Sequence, residues 1–202
     1  SRNSKGVTVL TCDTFAVRAH APRVVSNTKE VILIFRFTLF SPKLKLIYQK
    51  MKRRAYLSGQ WYPQDAKACE QEILLYTQDV NANVYDKCGL IGPHAGWRFS
   101  GQCAARAYKS LEHLHKNAEL VVIFGSHKSP SAKHSLFTGN AWETPFGDLK
   151  SSAALNAQLS ENEDFIPESA TPSFIDNAVE VHLPFIKYFF PHAKLLMIGA
   201  SP

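Results

Sequence analysis

Residues Leu120, Val121, Val122, Ile123 and Phe124 form an unbroken apolar run, rich in β-branched side chains and closed by Gly125. An alternating strand can turn one face to water. A strand with no polar position cannot, so this run predicts a strand buried on both faces, as in a parallel sheet covered by helices. Leu195-Leu196-Met197-Ile198 repeats the pattern and closes at Gly199. Helical spacing fills the intervals. Ala66, Cys69, Ile73 and Tyr76 recur at steps of three and four, and Cys103, Ala104, Ala107, Tyr108 and Leu111 do the same from residue 100 onward. The predicted fold is α/β, with a largely parallel central sheet and helices on both faces.

Two of the predicted strands end alike. Residues 88–91 stop at Gly92-Pro93, where proline has no N–H to donate and glycine weakens a strand, and His94 follows, ahead of Ala95-Gly96-Trp97. Residues 120–124 stop at Gly125-Ser126, and His127 follows. Open α/β sheets carry their chemistry at the carboxyl ends of strands. With one helical crossover between them, the two strands are expected side by side or nearly so, both tips on one sheet edge. His94 and His127 can then share a pocket and act as a metal or acid/base pair. A surface or turn histidine at each place is the competing reading. His113 and His115, near the end of the long helix, suit its dipole and need no ligand role.

Composition bounds the setting. Residues 1–54 hold 12 Lys and Arg against Asp13 and Glu30, a balance of +10, while the remainder holds 11 against 15, a balance of −4. The basic character therefore belongs to a leader, and nucleic acid is not the expected partner. The 31–40 apolar run is interrupted by Arg36 and is far shorter than the ~20 residues that cross a bilayer. Cys12, Cys69, Cys88 and Cys103 show no metal-ligand or redox spacing, which is consistent with a reduced, cytoplasmic setting. Residues 1–50 are read as a basic leader: a targeting segment, an extra edge strand, or non-native sequence ahead of Met51. Residues 51–202 are read as one α/β domain. Within it, 56–63 is an aromatic turn, 81–86 a polar turn, 137–149 a loop or hairpin, 151–159 a short helix and 167–176 irregular. A helix is expected over 177–190, with Pro184 tolerable only in a first turn.

Five ordered motifs are similar to those of one known family. They are Gly59-Gln60-Trp61-Tyr62-Pro63, Pro93-His94-Ala95-Gly96-Trp97 with Ser100-Gly101, Gly125-Ser126-His127, Thr144-Pro145-Phe146-Gly147-Asp148, and Val179-Glu180-Val181-His182-Leu183-Pro184-Phe185. Together they resemble the Memo family, also called AmmeMemoRadiSam system protein B. The resemblance implies kinship with class III extradiol ring-cleaving dioxygenases, whose strand-end histidines and a carboxylate hold non-heme iron. It implies an iron or copper pocket with His94 and His127 as ligands, and places further family ligands, an Asp-x-x-His segment and a cysteine, beyond Pro202. Asp176-Asn177-Ala178 departs from the family's glutamate-histidine-serine, and the second motif is shorter than its commoner form.

Three roles follow as expectations. The first is a metal-binding pocket with an accessory or redox role and radical-SAM partner proteins. The second is an active dioxygenase or hydrolase with His182 as an acid/base group. The third is a non-catalytic scaffold whose pocket takes a small molecule or peptide. With two ligands in hand, the 202-residue chain is expected to bind metal weakly or not at all.

Overall fold

The computed structural model describes residues 7–11, 51–80, 89–168 and 176–201. The 31–40 apolar run, the 81–86 turn, Cys12, Cys88 and residues 169–175 lie outside them. The main sheet has six strands: β1 (Val7–Thr11), β3 (Gly89–Ile91), β4 (Leu120–Phe124), β5 (His134–Phe137), β8 (Phe165–Glu168) and β9 (Lys194–Gly199), in the order β3-β1-β4-β9-β5-β8. All neighbours are parallel except β5 and β9, which run antiparallel. The expected α/β architecture is present. A small second sheet joins β2 (Lys52–Arg53), β6 (Ala141–Trp142) and β7 (Leu149–Lys150), with β6 and β7 antiparallel.

The unbroken apolar runs are explained by burial on two sides. Val121, Ile123, Leu195 and Met197 face a core shared with α2 (Trp97–His115) and α5 (Leu183–Phe189). Val122, Leu196 and Ile198 face a second cluster with Leu155 and Leu159 of α3 (Ala153–Leu159). Each such side chain contributes roughly 1.5–3 kcal/mol on burial, so a polar residue at any of these positions would be costly. The helix α1 (Ala66–Thr77) packs on α2 and starts where predicted, with the Asp65 carboxylate accepting the Ala68 N–H at 3.0 Å.

Three elements differ from expectation. Residues 1–50 show no sustained period in the sequence, apart from the 31–40 run, yet Val7–Thr11 forms a strand hydrogen-bonded on both sides, to β3 and to β4. Five residues rich in valine and threonine suit a strand, and the charged surroundings hide so short a segment. Residues 165–168, partly read as irregular, pair with β5. The helix expected over 177–190 divides into α4 (Asn177–Glu180) and α5, with His182 at the N-cap of α5 and Pro184 in its first turn.

Arg53 ties the two sheets together. It is buried, lies 4.2 Å over the Trp142 ring and ion-pairs with Glu168, whose other oxygen accepts from the Ser135 hydroxyl at 2.8 Å. Among the described residues no helix is long and apolar enough to cross a membrane. Cys69 and Cys103 are free, and the buried Cys69 thiol is pushed up to about 12 by burial, then by Glu72 and Asp65.

Candidate functional site

Sheet register sets the two candidate histidines at one height. Ile91 and Phe124, the last residues of β3 and β4, both stand opposite Thr11 of β1. His94 and His127 each lie three residues further on. Their loops therefore leave the sheet edge level, two strand spacings of ~4.8 Å apart. The loops then close that gap, and the two rings meet edge to face, 4.9 Å between centroids and 87° between planes. The strands are next-nearest neighbours, with β1 between them.

The turn that lifts His94 depends on its glycine. A Cβ on Gly92 would stand 2.7 Å from Cε1 of His182, closer than real Cβ contacts come. Further along, the Trp97 N–H donates to the Trp61 carbonyl at 2.8 Å, and the Phe99 and Ser100 N–H groups donate to the Gly96 carbonyl. The helix therefore begins at Trp97, three residues before the expected start, and Trp61 is brought to the rim. An open cleft of about 600 Å³ results, lined by Trp61, Ile91, Gly92, Pro93, His94, Ala95 and Asn177. A second, more open groove of about 470 Å³ beside Lys67, Phe146 and Tyr188 holds none of the three candidate histidines.

One short segment, 176–182, reaches every part of this arrangement. Asp176 caps α4 by accepting the Ala178 N–H at 2.9 Å, and the same carboxylate accepts the His127 backbone N–H at 2.8 Å and its ring Nδ1–H at 2.7 Å. Burial alone would raise the Asp176 carboxyl, but the Ala178 and His127 N–H groups and the His127 ring outweigh it and hold the group below its ordinary value. Asn177 Nδ2 donates to the His94 carbonyl at 2.7 Å and lies 3.2 Å from His94 Nδ1.

Glu180 is fully buried. It accepts the Leu57 N–H at 2.6 Å and the Tyr62 hydroxyl at 3.0 Å, which fixes the turn carrying Trp61. Burial raises its carboxyl, against the Leu57 and Tyr62 hydrogen bonds and the Arg53 charge.

His182 stands behind the His94 loop and is not on the cleft wall. It is 1% exposed, its Nδ1 lies 3.2 Å from the Tyr108 hydroxyl, and its ring donates to the Pro93 carbonyl. Burial, and then the neighbouring His94, lower its pKa to about 4, with the Pro93 hydrogen bond opposing. It is neutral at pH 7 and braces the loop. An acid/base role for it would have to act through that loop.

The donor set fits a metal ion in part. Two imidazoles meet at one place, and one has a carboxylate on Nδ1, the outer partner that metal-bound histidines commonly have. Among the described residues no group of three His, Cys, Asp or Glu side chains is placed to hold an ion. The structure thus brings His94 and His127 together and sets His182 behind them. Sequence reasoning missed Asp176 and Asn177 as partners of the histidines. Asp176 carries a helix N-cap signature, but nothing local shows that the capping carboxylate also reaches His127.

Comparison with known proteins agrees with the motifs. The sequence model of the Memo-like protein family matches residues 53–200. A MEMO1 family protein of Methanothermobacter thermautotrophicus is 30% identical over 156 residues, which cover 73% of this chain and 56% of that one. Similar proteins of Pyrococcus furiosus and Methanococcoides burtonii are each 30% identical over 68% of this chain, covering 48% and 50% of theirs. The chain spans about half the length of the curated relatives it matches. With its five motifs in order and the family match running through the whole cleft, this chain belongs to the Memo family.

Proposed function

We propose that the cleft is a metal-binding pocket of the Memo family, with His94 and His127 as nitrogen ligands and an accessory or redox role. The observation that carries this reading is the Asp176–His127 contact beside the His94 ring: a carboxylate on Nδ1 orients an imidazole and raises its basicity as a ligand through Nε2. Imidazoles with carboxylate and open positions suit iron, whereas added thiolate favours copper or zinc, and the further donors would come from outside the described residues. A bound iron or copper would supply Lewis-acid or redox chemistry. The chain's own residues orient the His127 ring, through Asp176, pin the His94 loop by its carbonyl, through Asn177, and shape a cleft open enough for a small molecule or peptide. Radical-SAM partner proteins, a kinship with extradiol dioxygenases and a cytoplasmic setting, which the free Cys69 and Cys103 suit, belong to the same reading. Metal analysis of protein expressed with supplemented iron or copper tests it. Substoichiometric metal that disappears in His94→Ala and His127→Ala supports the pocket, and metal content unchanged by both substitutions contradicts it.

The same dyad favours a second reading, acid/base catalysis by His127 in the cleft, because an ionised carboxylate on Nδ1 is how a general base is oriented. Turnover of catechol-like or ester substrates that is lost in Asp176→Asn supports it. Absence of turnover in a metal-replete preparation counts against it.

A further inference from the structure

The hydrogen bonds of segment 176–182 fix where each cleft imidazole carries its proton. A carbonyl oxygen accepts only from a donor, so the 2.7 Å contact to the His94 carbonyl requires the amide nitrogen of Asn177, not its oxygen, on that side. The same nitrogen lies 3.2 Å from His94 Nδ1 and has no lone pair to accept with, so His94 Nδ1 is the acceptor of its second N–H. A neutral His94 then has its proton on Nε2. His127 is the reverse, because both oxygens of the Asp176 carboxylate already act as acceptors, from the His127 and Ala178 backbone N–H groups, and one of them lies 2.7 Å from Nδ1, which must therefore carry the proton.

We propose that Asn177 is a tautomer-selecting residue that sets the metal affinity of the cleft. Through Asp176 and Asn177, adjacent in the chain, the two imidazoles are held in opposite tautomers: His127 with a bare Nε2 and His94 with a protonated one. A metal ion needs a lone pair from each ring. Binding at His94 Nε2 drives the proton to Nδ1, where it meets the Asn177 N–H instead of an acceptor, and binding at Nδ1 requires Asn177 to leave. The inference rests on the metal reading for its consequence, but the tautomers themselves do not depend on any metal.

Long-range 1H–15N correlation on the chelator-treated, 15N-labelled chain at a pH where both rings are neutral reads the tautomers directly. The expected result is His94 protonated on Nε2 and His127 on Nδ1. In Asn177→Asp the carboxylate accepts from Nδ1, so His94 switches to the Nδ1–H form while His127 is unchanged. A purely structural role for Asn177 would not reverse the tautomer of one ring alone. Zn(II) titration gives the second readout: Asn177→Asp, and Asn177→Leu without the added charge, no longer make the Nδ1 hydrogen bond that binding must break, and bind about 10-fold more tightly than the parent chain. A parent His94 protonated on Nδ1, a His94 tautomer unmoved in Asn177→Asp, or Zn(II) affinity that stays level or falls in both variants overturns the proposal. If neither the parent nor a variant binds Zn(II), the metal role of the pocket and the affinity claim fail together, and the tautomer spectra still decide what Asn177 does.

Discussion

Gly92 and His182 show how two residues, distant in the chain, hold a third in place. The His94 loop passes so close to the His182 ring that a methyl group on residue 92 has no room, and His182 is walled in by the core. Gly92→Ala is expected to destabilise by about 1–3 kcal/mol through overpacking and to displace His94. Thermal unfolding and the His94 ring shifts check both effects. His182 also makes stability depend on pH. Its folded pKa of about 4 lies below the unfolded value near 6.5, so between those values the unfolded chain takes up a proton that the folded chain does not. Stability is full above pH 6.5 and falls as the pH drops through 4, by on the order of 3 kcal/mol. Denaturant unfolding of the parent and His182→Gln at pH 4.5 and 7 measures this. The parent should lose more stability than the variant on acidification. The candidate ligands were legible in the sequence because each apolar strand closes at a glycine with a histidine two residues on, Gly92-Pro93-His94 and Gly125-Ser126-His127. Asn177 and Asp176 were not, because their contacts with His94 and His127 span 83 and 49 residues and exist only once the sheet has formed.

At the scale of elements, the segment around α4 organises the cleft. Within seven residues it holds His127, His94, the Trp61 turn and the Pro93 carbonyl. Its sequence reads as helix, yet the chain breaks between Glu180 and Leu183, which turns both Glu180 and His182 inward although they are two residues apart. Spacing alone did not show that break, since Pro184 is compatible with a helix start. Glu180→Ala leaves the Leu57 N–H and Tyr62 hydroxyl buried without their acceptor. It should cost about 2–4 kcal/mol, seen as a melting temperature lowered by roughly 5–15 °C. Asp176→Asn removes the charge that orients His127 and is expected to weaken metal binding about 10–100-fold with little change in fold, which titration and far-UV circular dichroism together would show.

At the scale of the molecule, two-sided burial of β4 and β9 dictates the covered sheet, and the sheet dictates that the tips after β3 and β4 share an edge. That much follows from apolar runs closed by glycine. The place of Val7–Thr11 between β3 and β4 does not, because a five-residue strand in a basic stretch leaves no periodic trace. Two nitrogen donors are fewer than the three or four protein ligands that hold zinc firmly, so the chain should bind a metal ion weakly at a single site. Calorimetric titration of the chain with Zn(II), alongside His94→Ala and His127→Ala, tests the shared pocket most directly. One weak site, abolished or weakened at least about 10-fold by either substitution, is the predicted result. No binding by the parent chain, or the same affinity in all three proteins, would contradict it.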